Sequence, residues 1–73
     1  MNRKQRERIE RRLTDYSVKP PPDFADAKWI CRCLFPDGTL TSTFWLTQDA
    51  ACEAESEAGQ FRAVCVVYPL EES

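Results

Sequence analysis

The sequence predicts an α+β fold: a small ββαβ domain whose antiparallel sheet runs in the order 2-1-3, with one covering helix and a basic, helix-capable arm in front. Three observations lead there. Aromatic and β-branched residues alternate with period two from Trp29 to Leu46, broken only at Pro36-Asp37-Gly38. An Ala- and Glu-rich stretch follows, opened by Thr47 and closed by Gly59. A valine-rich run then leads to Tyr68 and stops at Pro69.

The arm comes first. Arg, Lys, Gln and Glu dominate Asn2 to Tyr16 and are good helix formers. Ile9, Leu13 and Tyr16 fall at i, i+4 and i+7, a single narrow apolar stripe. A lone helix of about 15 residues is marginal in water. Residues 1–22 are therefore expected to lie outside the folded domain, mobile until a partner orders them. Pro20-Pro21-Pro22 supplies an extended spacer, because each proline lacks an N–H and restricts the residue before it. The domain then spans 23–70, and 71–73 form a loose acidic tail.

In the hairpin, Pro36 suits the first central position of a type I turn and Asp37 the second, while Gly38 provides the positive φ of a G1 bulge. That turn sets a register. Ile30 opposes Phe44, Arg32 opposes Ser42 and Leu34 opposes Leu40 on one face. Trp29 opposes Trp45, Cys31 opposes Thr43, Cys33 opposes Thr41 and Phe35 opposes Thr39 on the other. The helix, from about Gln48 to Ala58, turns Ala50, Ala51, Ala54 and Ala58 toward the sheet and Glu53, Glu55 and Glu57 toward water. The third strand is expected from Phe61 to Tyr68. A right-handed crossover from the second strand places it beside the first. The Leu/Ile/Phe face is expected beneath the helix. The Trp/Cys/Thr face is then left with nothing but the arm to cover it.

Composition excludes several functions. At 42% hydrophobic and 30% charged residues, the chain is ordinary for a soluble domain, and no run reaches the length of a membrane span. No apolar segment follows the basic N-terminus as a secretory signal would require, so a cytosolic address is expected, with the four cysteines reduced. The chain has no histidine. That removes the usual general base and every Ser-His or Cys-His nucleophile pair, so no enzymatic activity is expected. Cys31, Cys33 and Cys65 read as small buried thiols. Strand thiols at i, i+2 lack the knuckle geometry of structural zinc, and neither a metal site nor a cofactor is expected.

Charge is distributed very unevenly. Residues 1–20 hold seven Lys or Arg against three carboxylates, a net +4, and the remainder holds three against nine, a net −6; together they make the overall −2. Two surfaces of opposite sign are a binding signature. The candidate partner-binding residues are Arg3, Lys4, Arg6, Arg8, Arg11 and Arg12 of the arm, which suit phosphates or an acidic protein surface. Beside them stand Trp29, Phe35 and Trp45, aromatic anchors on the uncovered face.

Taken as a whole, from MNRKQRERIERRL through PPPDF to CRCLFPDGTLTSTFWL, the chain resembles the small transcription regulator of a lytic phage of Xanthomonas. The resemblance implies a monomeric protein of the host cytoplasm that binds bacterial RNA polymerase. It implies inhibition of initiation at host promoters and antitermination at intrinsic terminators, through the N-terminal segment of the β′ subunit near the RNA exit channel. The arm would then meet nascent RNA or an acidic polymerase surface. The residues alone also suit an acidic inhibitor that occupies the groove of a defence nuclease, or a small nucleic-acid-binding accessory protein.

Overall fold

Antiparallel pairing organises the molecule around its central strand. The computed structural model describes residues 2–70, and the expected tail at 71–73 lies outside them. The elements are α1 (Arg3–Leu13), a 3-10 turn (Pro22–Phe24), β1 (Trp29–Leu34), β2 (Leu40–Trp45), α2 (Gln48–Gly59) and β3 (Val64–Pro69). The sheet has the order β2-β1-β3 with both neighbours antiparallel to β1, the α+β architecture the sequence predicts.

The hairpin follows from its turn. The Gly38 N–H donates to the Phe35 carbonyl at 2.9 Å and the Phe35 N–H to the Thr39 carbonyl at 2.8 Å. Gly38 has φ 93°, which a side chain rarely permits. The register is the expected one, from Trp29 opposite Trp45 to Leu34 opposite Leu40. On the other side of β1, Ile30 faces Tyr68, Cys31 faces Val67, Arg32 faces Val66 and Cys33 faces Cys65.

The faces are the reverse of the expected arrangement. Helix α2 packs on the Trp/Cys/Thr face, where fully buried Ala51 meets Cys31, Cys33 and Cys65. The physical reason is size. An alanine-faced helix approaches closely only where the sheet is also low, and three cysteines give that floor, with Trp29, Phe35 and Trp45 around it. Thr47 caps α2 by accepting from the Ala50 N–H at 3.2 Å.

The opposite face, with Ile30, Arg32, Leu34 and Tyr68, belongs to the arm. Residues 2–22 are accordingly not outside the fold; residue 1 of the expected arm lies outside the described residues. Asn2 and Gln5 form a capping box at the start of α1, and Leu13 at its end is buried. The Tyr68 hydroxyl accepts from the Asp15 N–H at 3.1 Å and donates to the Asp15 carbonyl at 3.0 Å. Arg32 donates through Nη1 to the Leu13 carbonyl at 2.8 Å and through Nε to Ser42 Oγ at 3.1 Å. The ring of Tyr16 meets that of Tyr68 edge-on at 5.2 Å, and Phe24 stacks on Phe44 at 6.3 Å. These polar and aromatic anchors supply what a three-residue apolar stripe lacks.

Two further corrections concern the end of α2. Phe61 lies in a turn rather than in β3, which begins at Val64. Gly59 closes the helix without a positive φ; the left-handed residue is Arg62, at φ 63°. Its N–H donates to the Gly59 carbonyl at 3.0 Å and the Ala63 N–H donates to the Ala58 carbonyl at 3.3 Å. That pair of bonds is a Schellman closure. A non-glycine residue there carries a cost of roughly 1 kcal/mol. Arg62→Gly is expected to raise the melting temperature by about 4–8 °C, as one kcal/mol does at this chain length, with no change in the circular dichroism spectrum. Calorimetry checks it, and an unchanged or lower melting temperature refutes it.

Candidate functional site

Helix α2 lies over β1 and β3 and leaves the β2 side of its face partly open. The opening is an apolar groove of about 710 Å³, lined on the sheet by Phe35, Thr41, Thr43 and Trp45 and on the helical side by Ala54, Ala58 and Phe61. Phe61 is 69% exposed and forms the outer wall. Two of the three aromatic residues expected to anchor a partner, Phe35 and Trp45, therefore meet in one concavity. Trp29 is half-buried on the same face but does not line the groove.

A small hydrogen-bond chain orders the groove floor. The Trp45 Nε1–H donates to Thr43 Oγ at 2.8 Å, and that hydroxyl donates to the Cys31 carbonyl at 3.3 Å. The indole is thus held at a fixed angle with its polar atom satisfied. Asp37 and Glu57 bring carboxylates to the walls. The Thr39 N–H donates to Asp37 Oδ1 at 2.9 Å and holds that carboxyl below its ordinary range, so it stays charged into mild acid.

The cationic candidates form a separate surface. Arg3, Lys4, Arg6, Arg8, Arg11 and Arg12 are all exposed along α1, with Arg3 paired to Glu7 at 3.5 Å. Because α1 and α2 pack on opposite sheet faces, the cations of α1 and the carboxylates of α2 lie on two sides of one body. They approach each other beside β3, where Glu10, Arg11 and Glu55 line one depression and Arg6, Glu10 and Glu55 another. Glu55 is half-buried there rather than facing water.

Two of the buried thiols, Cys31 and Cys65, are held in the protonated form. Cys31 and Cys33 stand 3.6 Å apart at sulfur and are buried with Cys65, whereas Cys52 is exposed on α2. Burial, then the neighbouring Cys33 thiol, pushes Cys31 up to about 12 and raises Cys65 further; the Glu55 carboxylate adds to both. A protonated thiol is neither a nucleophile nor a good metal ligand. Among the described residues, no three Cys, Asp or Glu side chains are placed to hold a metal ion. No helix there is long and apolar enough to cross a membrane.

The roles of Arg32 and Tyr68 were not read from the sequence, because both depend on partners far away in the chain. Phe61 was missed as a groove residue because its run of apolar neighbours suggested a strand. Comparison with protein-family models, curated proteins and solved structures returns no match for this chain.

Thiol burial has two measurable consequences. At pH 8 a soluble thiol reagent is expected to modify Cys52 quickly and the other three only through opening of the fold; Cys52→Ser removes the fast phase. Three fast thiols would contradict the packing. Linkage also fixes the pH response. A thiol raised from 9.0 to about 12 keeps its proton in the folded state after the unfolded chain has lost it. The thiol's contribution to stability is then flat below about pH 9 and falls as pH rises toward 12. Urea midpoints at pH 7, 9 and 10.5 test the direction.

Proposed function

We propose that this chain is a phage-type regulator that binds bacterial RNA polymerase, inhibits initiation and promotes read-through of intrinsic terminators. The observation that supports it best is the opposition of two surfaces across one sheet. Six exposed cations line a helix fixed to one face, and a carboxylate-rich helix beside an apolar groove occupies the other. Such a body orients itself on a large, unevenly charged partner before any short-range contact forms. Its Cα extents of 35 × 22 × 19 Å suit a plug or wedge beside a channel better than a scaffold for chemistry.

In this reading the protein docks as a single copy on the N-terminal segment of the β′ subunit near the RNA exit channel. The basic helix faces emerging RNA or an acidic polymerase surface. Narrowing the channel there keeps a terminator hairpin from forming, which is a steric effect that requires no cofactor and no reaction. Phosphate contacts by several arginines would make the effect strongly salt-dependent.

The test combines affinity for purified polymerase with terminator read-through in a reconstituted transcription reaction. Wild-type protein is expected to bind and to raise read-through. Charge reversal at Arg8, Arg11 and Arg12, all exposed, is expected to weaken binding by about tenfold or more at low salt, with a smaller deficit at high salt. Failure of wild-type protein to bind polymerase overturns the proposal. Equal binding by the reversed variant removes the basic helix from the interface.

A further inference from the structure

Strand β2 forms one edge of the sheet, and among the described residues no strand pairs with its outer side. The direction of its backbone groups follows from the turn. The Phe35 N–H bonds the Thr39 carbonyl, so 35 and 39 are a hydrogen-bonded pair. Alternation makes Cys33 with Thr41, and Cys31 with Thr43, the pairs bonded across the hairpin. The backbone groups of Leu40 and Ser42 consequently point away from β1, with those of Phe44 at the strand's end. The other side of β1 agrees: the Leu70 N–H bonds the Lys28 carbonyl, which assigns the even-numbered residues within β1 to β3 and leaves the odd ones to β2; the alternation ends just before β1, where the Lys28 N–H bonds the Trp45 carbonyl.

Edges of this kind are normally guarded by Lys, proline, a bulge or an inward charge. Leu40-Thr-Ser-Thr-Phe-Trp45 contains no charge and no proline, and its register with β1 runs without interruption. The groove-facing side chains of the same strand are Thr41, Thr43 and Trp45. An added strand would therefore bond the free edge and lay alternate side chains beside these residues, in the mouth of the groove.

Charge selects the occupant. From Pro36 to Gln60 the sequence holds Asp37, Asp49, Glu53, Glu55 and Glu57 and neither Lys nor Arg. Edge-to-edge pairing of two copies would bring two such segments together, and like charges across an interface disfavour it. A segment bearing cations is complementary to these carboxylates at long range, and its cationic side chains, on the face away from the groove, would lie toward Asp23 and Asp26 beside Phe44. We propose that the β2 edge and the adjoining groove form a strand-addition site for an extended protein segment that alternates apolar side chains with Lys or Arg.

The site does not depend on which macromolecule supplies the segment, so its test leaves polymerase out. The isotopically labelled full chain is titrated with acetyl-Lys-Val-Lys-Val-Thr-Val-Lys-Val-Lys-amide while backbone amides are followed by NMR. Saturable shifts along β2, with amide exchange at Leu40 and Ser42 slowed about tenfold or more, are expected on strand pairing. A peptide with Glu for Lys is expected to bind about tenfold or more weakly. Methylating the peptide amides along one edge should abolish binding, and along the other should spare it. Leu40→Lys and Phe61→Ser, both at exposed positions, test the edge and the groove wall separately; each is expected to weaken the Lys peptide. Shifts confined to α1, equal binding of both peptides, or indifference to methylation overturns the site. Self-association that protects Leu40 and Ser42 without peptide also overturns it, by giving the edge to a second copy.

Discussion

Arg32 reaches from the middle of the central strand to the last turn of α1, where its guanidinium bonds the Leu13 carbonyl and Tyr68 bonds the backbone just beyond. A cation at that position satisfies a carbonyl left unpaired by the helix end and sits favourably on the negative end of its dipole. Much of the rest depends on this contact. A three-stranded sheet has two faces to bury and only one crossover helix. Without the arm, Ile30, Val64 and Tyr68 would face water, and a chain of 73 residues has no surplus core with which to offset that. The apolar stripe of α1 is too thin to dock it alone, so the charged Arg32 bond, worth about 1.5–3 kcal/mol net, and the neutral Tyr68 hydroxyl bonds, worth about 0.5–1.5 kcal/mol each, carry the attachment.

The same logic explains what could be read from the sequence. The hairpin was legible to the residue because Pro36-Asp37-Gly38 is local chemistry: one turn type fits, and it fixes the register. The N-cap and approximate extent of α2 were legible for the same reason. The assignment of faces was not. Ranking side chains by size and greasiness puts Ile30, Leu34 and Phe44 in the core and leaves cysteines and threonines outside. The packing decision turned instead on how closely Ala51 could approach, and thiols are small enough to allow it. Arm docking was illegible because its bonds join residues far apart in the chain, nineteen positions for Arg32 with Leu13 and fifty-three for Tyr68 with Asp15. The site lies between these cases. Phe35 and Trp45 could be named from strand periodicity, whereas Phe61 entered the groove through a left-handed turn at Arg62 that no glycine announced.

Burying three thiols has a chemical corollary. Serine at these positions would carry hydroxyls needing partners, and valine would hold the helix off the sheet. Cysteine avoids both problems, and burial then suppresses the reactivity that usually makes it conspicuous. The Glu55 carboxylate beside them works in the same direction. The cluster is thus best understood as part of the floor that places α2, and through α2 the groove.

That placement separates two kinds of contact by range as well as by position. The cations of α1 act over a Debye length, about 8 Å at physiological salt, so they govern approach and orientation. The groove and the β2 edge act only at contact, through apolar burial and backbone bonds with strict register. Since the sheet stands between them, engaging one surface leaves the other free, and a single small protein can hold a phosphate-rich or acidic surface on one side while reading an extended segment on the other. Neutralising the cations should therefore slow association without altering which segment the edge accepts, whereas changes at Leu40 or Phe61 should shorten residence with little effect on encounter.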